Sequence, residues 1–579
     1  MAKGNWSWLR KEFEQRLGIT VADFARLLGA KRQRVDNWAG NRNDPDFLNT
    51  LLLAYFFAND SAESLAYKAG VDWDSLINDI NSRAEQLGIE LPAPKGSEFA
   101  STLYKLFDIQ DIDALSIIAE YFNYSSGFQQ LHDMARRLLK ETLGREEIIT
   151  ARLWFYVAYA ELMLGRAADA IKSAAKVREL FRPEEDERLL ADTYWLSGES
   201  ERVIGRYNKA YSYLQKAARI YRRLDVKPTA RDSGPMWVEW DLGRLECSYG
   251  RYNIALRHFE RLSKMAQETG LAEAAIIAIW SRACVDEEVS DFNSAFTGFS
   301  KASEFAYYVG NKFWEAQSLR NKAEIERKMG RYEDAIETAL SASKIYESIG
   351  NEKLSTHSRL VIAASYLQMG DPDEAYKLYY EAATIYEKAR DEPMMRMALL
   401  GLEFARLVME SRQQTPGYAE SLLSLRDMNE SRPREYDVYY EAYERLALAE
   451  ALRLTNNLNK AHDMFLAIAE ACDSYGHKLE KAHALLGIAE TKRLIGDADK
   501  ENCNRALEIY RKVGSKWGEV HTLIALALIK LERGNSASPF IEEALMIAQE
   551  ASLKADVSFV ESLVREKPVP GDRHVLVFI

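Results

Sequence analysis

MGRYEDA, residues 329–335, decides how this chain is read. Its glycine can end one helix in a left-handed conformation, and the polar residues after it can open the next. The pattern recurs as LGRAADA, IGRYNKA, YGRYNIA, VSDFNSA, MGDPDEA and TNNLNKA, with turn residues Gly165, Gly205, Gly250, Ser290, Gly330, Gly370 and Asn456. Weaker copies stand at Gly496 and Gly534, and a degenerate one is expected around Gln414. A spacing close to 40 residues predicts stacked helical hairpins.

Two other offsets follow the same register. Seven residues before each turn stand Ala158, Gly198, Gly243, Ala283, Ala323, Ala363, Ala449, Ala489 and Ala527. Five residues after it stand Ala170, Ala210, Ala255, Ala295, Ala335, Ala375 and Ala461. Small side chains there let two antiparallel helices approach closely, and each pair can stack on the next. The turn, the small residue and the following alanine resemble tetratricopeptide repeats, in a variety with extended helices. The resemblance covers roughly residues 150 to 554 and implies a right-handed α-solenoid of about ten hairpins.

Composition agrees with an all-α fold. The 579 residues exceed what one core organises, and only 13 prolines and 30 glycines interrupt them. The formal charge is −12, from 76 basic against 88 acidic residues, a poor overall match for a polyanion. Between Arg10 and Arg42, however, Arg10, Lys11, Arg16, Arg26, Lys31, Arg32, Arg34 and Arg42 face only Glu12, Glu14, Asp23 and Asp36. A polyanion site is therefore expected in the N-terminal region alone.

That region contains TVADFARLLGAKRQRVDNWAGNR, residues 20–42. Ala22, Phe24, Ala25 and Leu28 make an apolar helix face, Gly29 permits a turn, and Val35 and Trp38 anchor a second helix. The segment resembles the helix-turn-helix of phage-repressor-like proteins, although Val21, Lys31 and Ala39 depart from the residues frequent there. The resemblance places Lys31, Arg32, Gln33, Arg34 and Asn37 at the front of a recognition helix in the major groove of double-stranded DNA. Arginine suits guanine and glutamine suits adenine, so these side-chain types fit direct readout. A helix-turn-helix kept for protein contacts is the alternative.

The expected organisation is a helix-turn-helix domain over 1–90, a proline-containing linker over 91–98, and a helical cap or degenerate repeat over 99–150. The repeat array follows over 151–555, then a C-terminal tail over 556–579, whose stretch EKPVPGDRHVLVFI (566–579) is β-prone and is expected to pack on the last repeat.

Tetratricopeptide-like arrays hold peptides or proteins in a groove lined by the first helix of each pair. By that resemblance the residue ten before each turn faces the groove: Phe155, Trp195, Trp240, Trp280 and Arg320. Trp237, Glu199, Arg202, Arg244, Glu324 and Arg327 fall on neighbouring groove positions. Aromatic anchors interspersed with charges suit a peptide site, since rings supply contact area at low entropic cost and charges fix register. Space-filling between repeats is the alternative role for the rings.

No phosphate loop, dinucleotide-binding fingerprint, serine nucleophile motif or H-E-x-x-H is present, and the histidines and four scattered cysteines show no metal-ligand spacing. An enzyme, a cofactor and a metal are not expected. The apolar runs are too short to span a bilayer and the N-terminus lacks a signal peptide's apolar core, so a cytoplasmic location and no membrane partner are expected. A DNA-binding head on such an array resembles the peptide-responsive quorum-sensing regulators of bacteria and phages. That resemblance implies a homodimeric transcriptional regulator whose DNA affinity is set by a groove ligand. A scaffold or sensor that binds a partner protein, in phage defence or stress signalling, is the second reading.

Overall fold

The structure is a computed structural model, and it describes residues 128–141, 147–181, 187–226, 234–349, 351–389, 392–413, 438–565 and Leu576. The positions expected to read DNA, Lys31, Arg32, Gln33, Arg34 and Asn37, the linker and the turn near Gln414 lie outside these residues. Every element among the described residues is an α-helix, arranged as successive antiparallel hairpins of a tetratricopeptide-like solenoid.

The turns explain why the hairpins form where they do. Gly165, Gly205, Gly250, Gly330, Gly370, Gly496 and Gly534 all have φ between 69° and 89°, in the left-handed region. Ser290 and Asn456 adopt the same conformation at φ 60° and 65°, so the repeat demands it even where glycine is absent. Several helices then start on a side-chain cap. Asp291 accepts the Ser294 amide at 3.3 Å, and Asn311 and Asn351 accept the Trp314 and Leu354 amides at 3.1 Å each.

The small-residue register works as packing chemistry dictates. Ala170, Ala210, Ala255, Ala295, Ala335, Ala375 and Ala461 are fully buried. A methyl group on Gly198 would stand 2.7 Å from Leu214 Cγ, so helix Glu187–Val203 meets helix Tyr207–Arg223 more closely than even alanine permits. Arginine one place after the turn reaches back to a glutamate four places before it. Arg251 Nε lies 2.5 Å from Glu246 and Arg206 3.6 Å from Glu201, which ties each turn to the helix it leaves.

The chain divides into two compact units, one holding residues up to 245 and 260–275, the other 246–259 and 276–579. In the first, helices Glu147–Met163, Ala167–Leu180, Glu187–Val203 and Tyr207–Arg223 stack as consecutive pairs. In the second, the chain coils back on itself. Ser290 Oγ accepts the Leu479 amide at 3.0 Å, Gly330 abuts the Lys516 side chain, and Gly370 abuts Ala555. Turns of the early hairpins thus seat on the first residues of helices Lys478–Ile495, Lys516–Glu532 and Lys554–Arg565. Helix Lys554–Arg565 ends just before the stretch expected to be β-prone, residues 566–579, of which only Leu576 is described.

Candidate functional site

In the first unit, residues spaced three and four apart on the first helix of each hairpin share one face. Ten before the turn stand Phe155, Trp195 and Trp240; six before it stand Tyr159, Glu199 and Arg244. The structure joins them into one row. Phe155 stacks on Tyr159 with ring centres 6.4 Å apart, and Tyr159 meets Trp195 at the same separation. Trp195 Nε1 donates to Asp241 Oδ2 at 2.8 Å, across 46 residues of sequence. Arg244 Nη1 donates to Asp241 Oδ1 at 3.0 Å and to Glu199 Oε1 at 3.3 Å. Arg202 closes the row with two 2.7 Å bonds to Glu199. The Arg244 guanidinium lies 4.5 Å from the centre of the Trp240 ring, which in turn sits 5.7 Å from Trp237.

This row is half open. The side chains of Glu199, Arg202 and Arg244 are 14%, 17% and 28% exposed, whereas Asp241 is 2% exposed. The two carboxylates divide their protonation behaviour accordingly. Burial, with the neighbouring Glu199 charge, pushes the Asp241 carboxyl up to about 7. Burial works against ionising Glu199 too, but Arg202 and Arg244 outweigh it and hold Glu199 down to about 2. Near neutral pH the pair thus carries between one and two negative charges against two guanidinium groups. Such a row offers flat aromatic faces, charge-assisted donors and acceptors, and a proton that can be given up when a ligand changes the balance.

The Asp241 carboxyl also makes a pH prediction. A folded-state value above the unfolded one, about 4 for aspartate, means the native state keeps a proton that the unfolded chain releases. Its contribution to stability is therefore present at low pH and lost as pH rises from about 4 to about 7. Glu199, depressed to about 2, has the opposite dependence, confined below pH 5. Hydrogen exchange over residues 187–203 is expected to be faster at pH 8 than at pH 5.5 once corrected for intrinsic rates, and Asp241→Asn is expected to flatten that difference.

The remaining positions expected to line the groove fall in the second unit, with Trp280, Arg320 and Glu324 partly exposed and Arg327 buried. Trp280 packs beside Trp314 and Phe299 at ring separations of 5.5 and 6.4 Å, against the core. Arg320 Nη2 donates to Asn321 at 2.8 Å. Arg327 is 3% exposed and fully engaged, with bonds to Glu324 at 3.0 and 2.5 Å and to Gln368 at 2.7 Å. The same Glu-x-x-Arg spacing, six and three before the turn, recurs as Glu450–Arg453 and Glu490–Arg493, both buried. At this register Arg202 is 17% exposed in the first unit, whereas Arg327, Arg453 and Arg493 in the second are 3% exposed or less, although Glu324 beside Arg327 keeps 22% exposure.

Tyr159 and Asp241 belong to the row and escape the sequence reading. Tyr159 shares the offset of Glu199, so its position was visible as a pattern. Asp241 was not, because its role depends on Trp195 from the preceding hairpin. Thirteen residues before the turns at Gly496 and Gly534 stand His483 and His521. His483 meets the Tyr510 hydroxyl at 2.8 Å and is pushed down to about 3 by burial. His521 stacks on Trp517 at 4.1 Å, 3.4 Å from Asp556. Among the described residues no group of His, Cys, Asp and Glu is placed to hold a metal ion, and no helix is long and apolar enough to cross a membrane.

Residues 314–388 match the tetratricopeptide repeat family. No curated protein sequence matches the chain. Among solved structures, a Rap protein complexed with competence and sporulation factor is 14% identical, with a TM-score of 0.39 over 65% of this chain and 99% of that one. A signal transduction ATPase with a tetratricopeptide repeat sensor from Pyrococcus horikoshii is 15% identical, with a TM-score of 0.37 over 69% of this chain and 66% of that one. Aspartyl phosphate phosphatase F from Bacillus subtilis is 12% identical, with a TM-score of 0.34 over 63% and 94%.

Proposed function

We propose that this chain is a transcriptional regulator without enzymatic activity, whose N-terminal helix-turn-helix binds double-stranded DNA as a dimer and whose repeat array binds a peptide or protein that sets DNA affinity. The observation that supports the ligand half is the row Phe155–Tyr159–Trp195–Asp241–Arg244–Glu199–Arg202. It puts partly open rings and charges from three successive hairpins on one face. Rings with solvent on one side and a fixed charge network on the other supply both contact area and orientation. The DNA half rests on the sequence of residues 20–42. Control of one by the other requires only that the ligand bind two states of the array unequally.

A phage-displayed random peptide library panned on the full chain tests the ligand half. Enriched peptides are expected to lose at least ~10-fold in affinity for the Trp240→Ala chain, the range of a buried aromatic anchor, while that chain keeps its helical circular dichroism. Enriched peptides that bind Trp240→Ala and Asp241→Asn as tightly as the unaltered chain would place their site elsewhere. The second reading, a scaffold that binds a partner protein and uses its head for autoregulation or assembly, is favoured by the same row if DNA binding proves non-specific.

A further inference from the structure

The geometry points to a second peptide-recognition site, on the inner register of the second unit, which this chain fills with its own Leu576. Leu576 is 1% exposed and belongs to the unit's apolar core. Its backbone N–H donates to Glu450 Oε1 at 2.8 Å, reaching back 126 residues to helix Val438–Leu454 and not to the last repeat. Glu450 is itself fully buried, and Arg453 grips the same carboxylate through bonds of 2.6 and 2.7 Å.

The placement of Glu450 gives the contact its meaning. It stands six residues before its turn at Asn456, the offset that Glu199 holds in the open row of the first unit. A carboxylate offered to a main-chain amide, beside a socket for one apolar side chain, is the chemistry of extended-peptide recognition. The amide supplies affinity irrespective of sequence, and the socket selects the residue. The ligand class is an extended segment with a leucine-like side chain. Between Arg565 and Leu576 the sequence carries Pro568, Pro570 and Gly571, which favour a non-helical connection. Because Leu576 belongs to the same chain as Glu450, a free peptide competes with it at a disadvantage. This site is separate from the row in the first unit, and its fate does not depend on the function proposed above.

The test uses the full chain and a fluorescein-labelled peptide of residues 572–579, DRHVLVFI, read by anisotropy. The Leu576→Asp chain, its own tail displaced, is expected to bind the peptide at least ~10-fold more tightly than the unaltered chain, and a peptide with aspartate in place of that leucine is expected not to bind. Equal binding to both chains would overturn the proposal, as would no binding to a Leu576→Asp chain of unchanged circular dichroism and melting temperature. Should that variant unfold, hydrogen exchange of residues 572–579 in the unaltered chain decides. Saturating acetylated peptide should accelerate it if the site is exchangeable, and leave it unchanged if the tail is permanent core.

Discussion

Gly370→Ala is expected to destabilise the second unit by about 3 kcal/mol, combining the ~1–2 kcal/mol cost of a left-handed alanine with ~1–3 kcal/mol of overpacking. Gly370 sits at φ 85°, and an added Cβ would stand 2.4 Å from Ala555 Cβ and 2.9 Å from the Ala555 backbone nitrogen. Backbone cannot step aside as a side-chain tip can, so the seat of helix Lys554–Arg565 must shift. Gly496→Ala supplies the comparison, since Gly496 has φ 89° but nothing within 4 Å of its would-be Cβ. It should cost only the backbone part, about 1–2 kcal/mol. Urea unfolding followed by segment-resolved hydrogen exchange would show protection lost first over residues 554–565 in Gly370→Ala. Equal losses in the two variants would mean that the turn does not seat on that helix.

The second large effect is expected at Arg453. Its guanidinium and the Glu450 carboxylate are both fully buried, with Glu490 at 4.0 Å, so removing the cation strands negative charge away from water. Arg453→Ala should cost about 3–5 kcal/mol, the usual penalty for breaking a buried pair. The double change Arg453→Met with Glu450→Gln removes both charges and should cost less than the single one, although it also weakens the bond to the Leu576 amide. Chemical denaturation of the three chains measures this. A double variant less stable than Arg453→Ala would contradict the buried-charge account. The cross-unit contrast matters here: Arg202, at the same offset and 17% exposed, should cost less when replaced by alanine, because water can solvate Glu199.

Much of the repeat was legible before any coordinates because it is written in local rules. A left-handed turn calls for glycine, and where serine or asparagine replaces it the neighbouring alanines still keep register, as at Ser290 and Asn456. The aromatic row was legible by the same counting, since Phe155, Trp195 and Trp240 share one offset. The counting could not distinguish Glu199 and Arg202 from Glu324 and Arg327. Those pairs occupy the same register, yet Arg327 is buried where Arg202 is partly open, in a unit whose turns at Ser290, Gly330 and Gly370 meet helices some 185 residues further on. A local pattern carries no trace of contacts at that separation. For the same reason Asp241 reads as an ordinary helical acid until Trp195 is seen to donate to it, and Leu576 reads as a tail residue until its amide is found on Glu450.

The proposed regulator stands or falls on DNA recognition, and the most direct measurement is selection of genomic fragments by the full chain. The best fragment is then titrated at two salt concentrations with the unaltered chain and the Arg32→Ala, Arg34→Ala double variant. The account predicts one or a few palindromic fragments, bound with a steep salt dependence and lost by the variant, since each bidentate base contact is worth ~1–3 kcal/mol. Weak binding to all fragments, equal in both chains, would contradict it and leave a repeat scaffold whose head serves protein contacts.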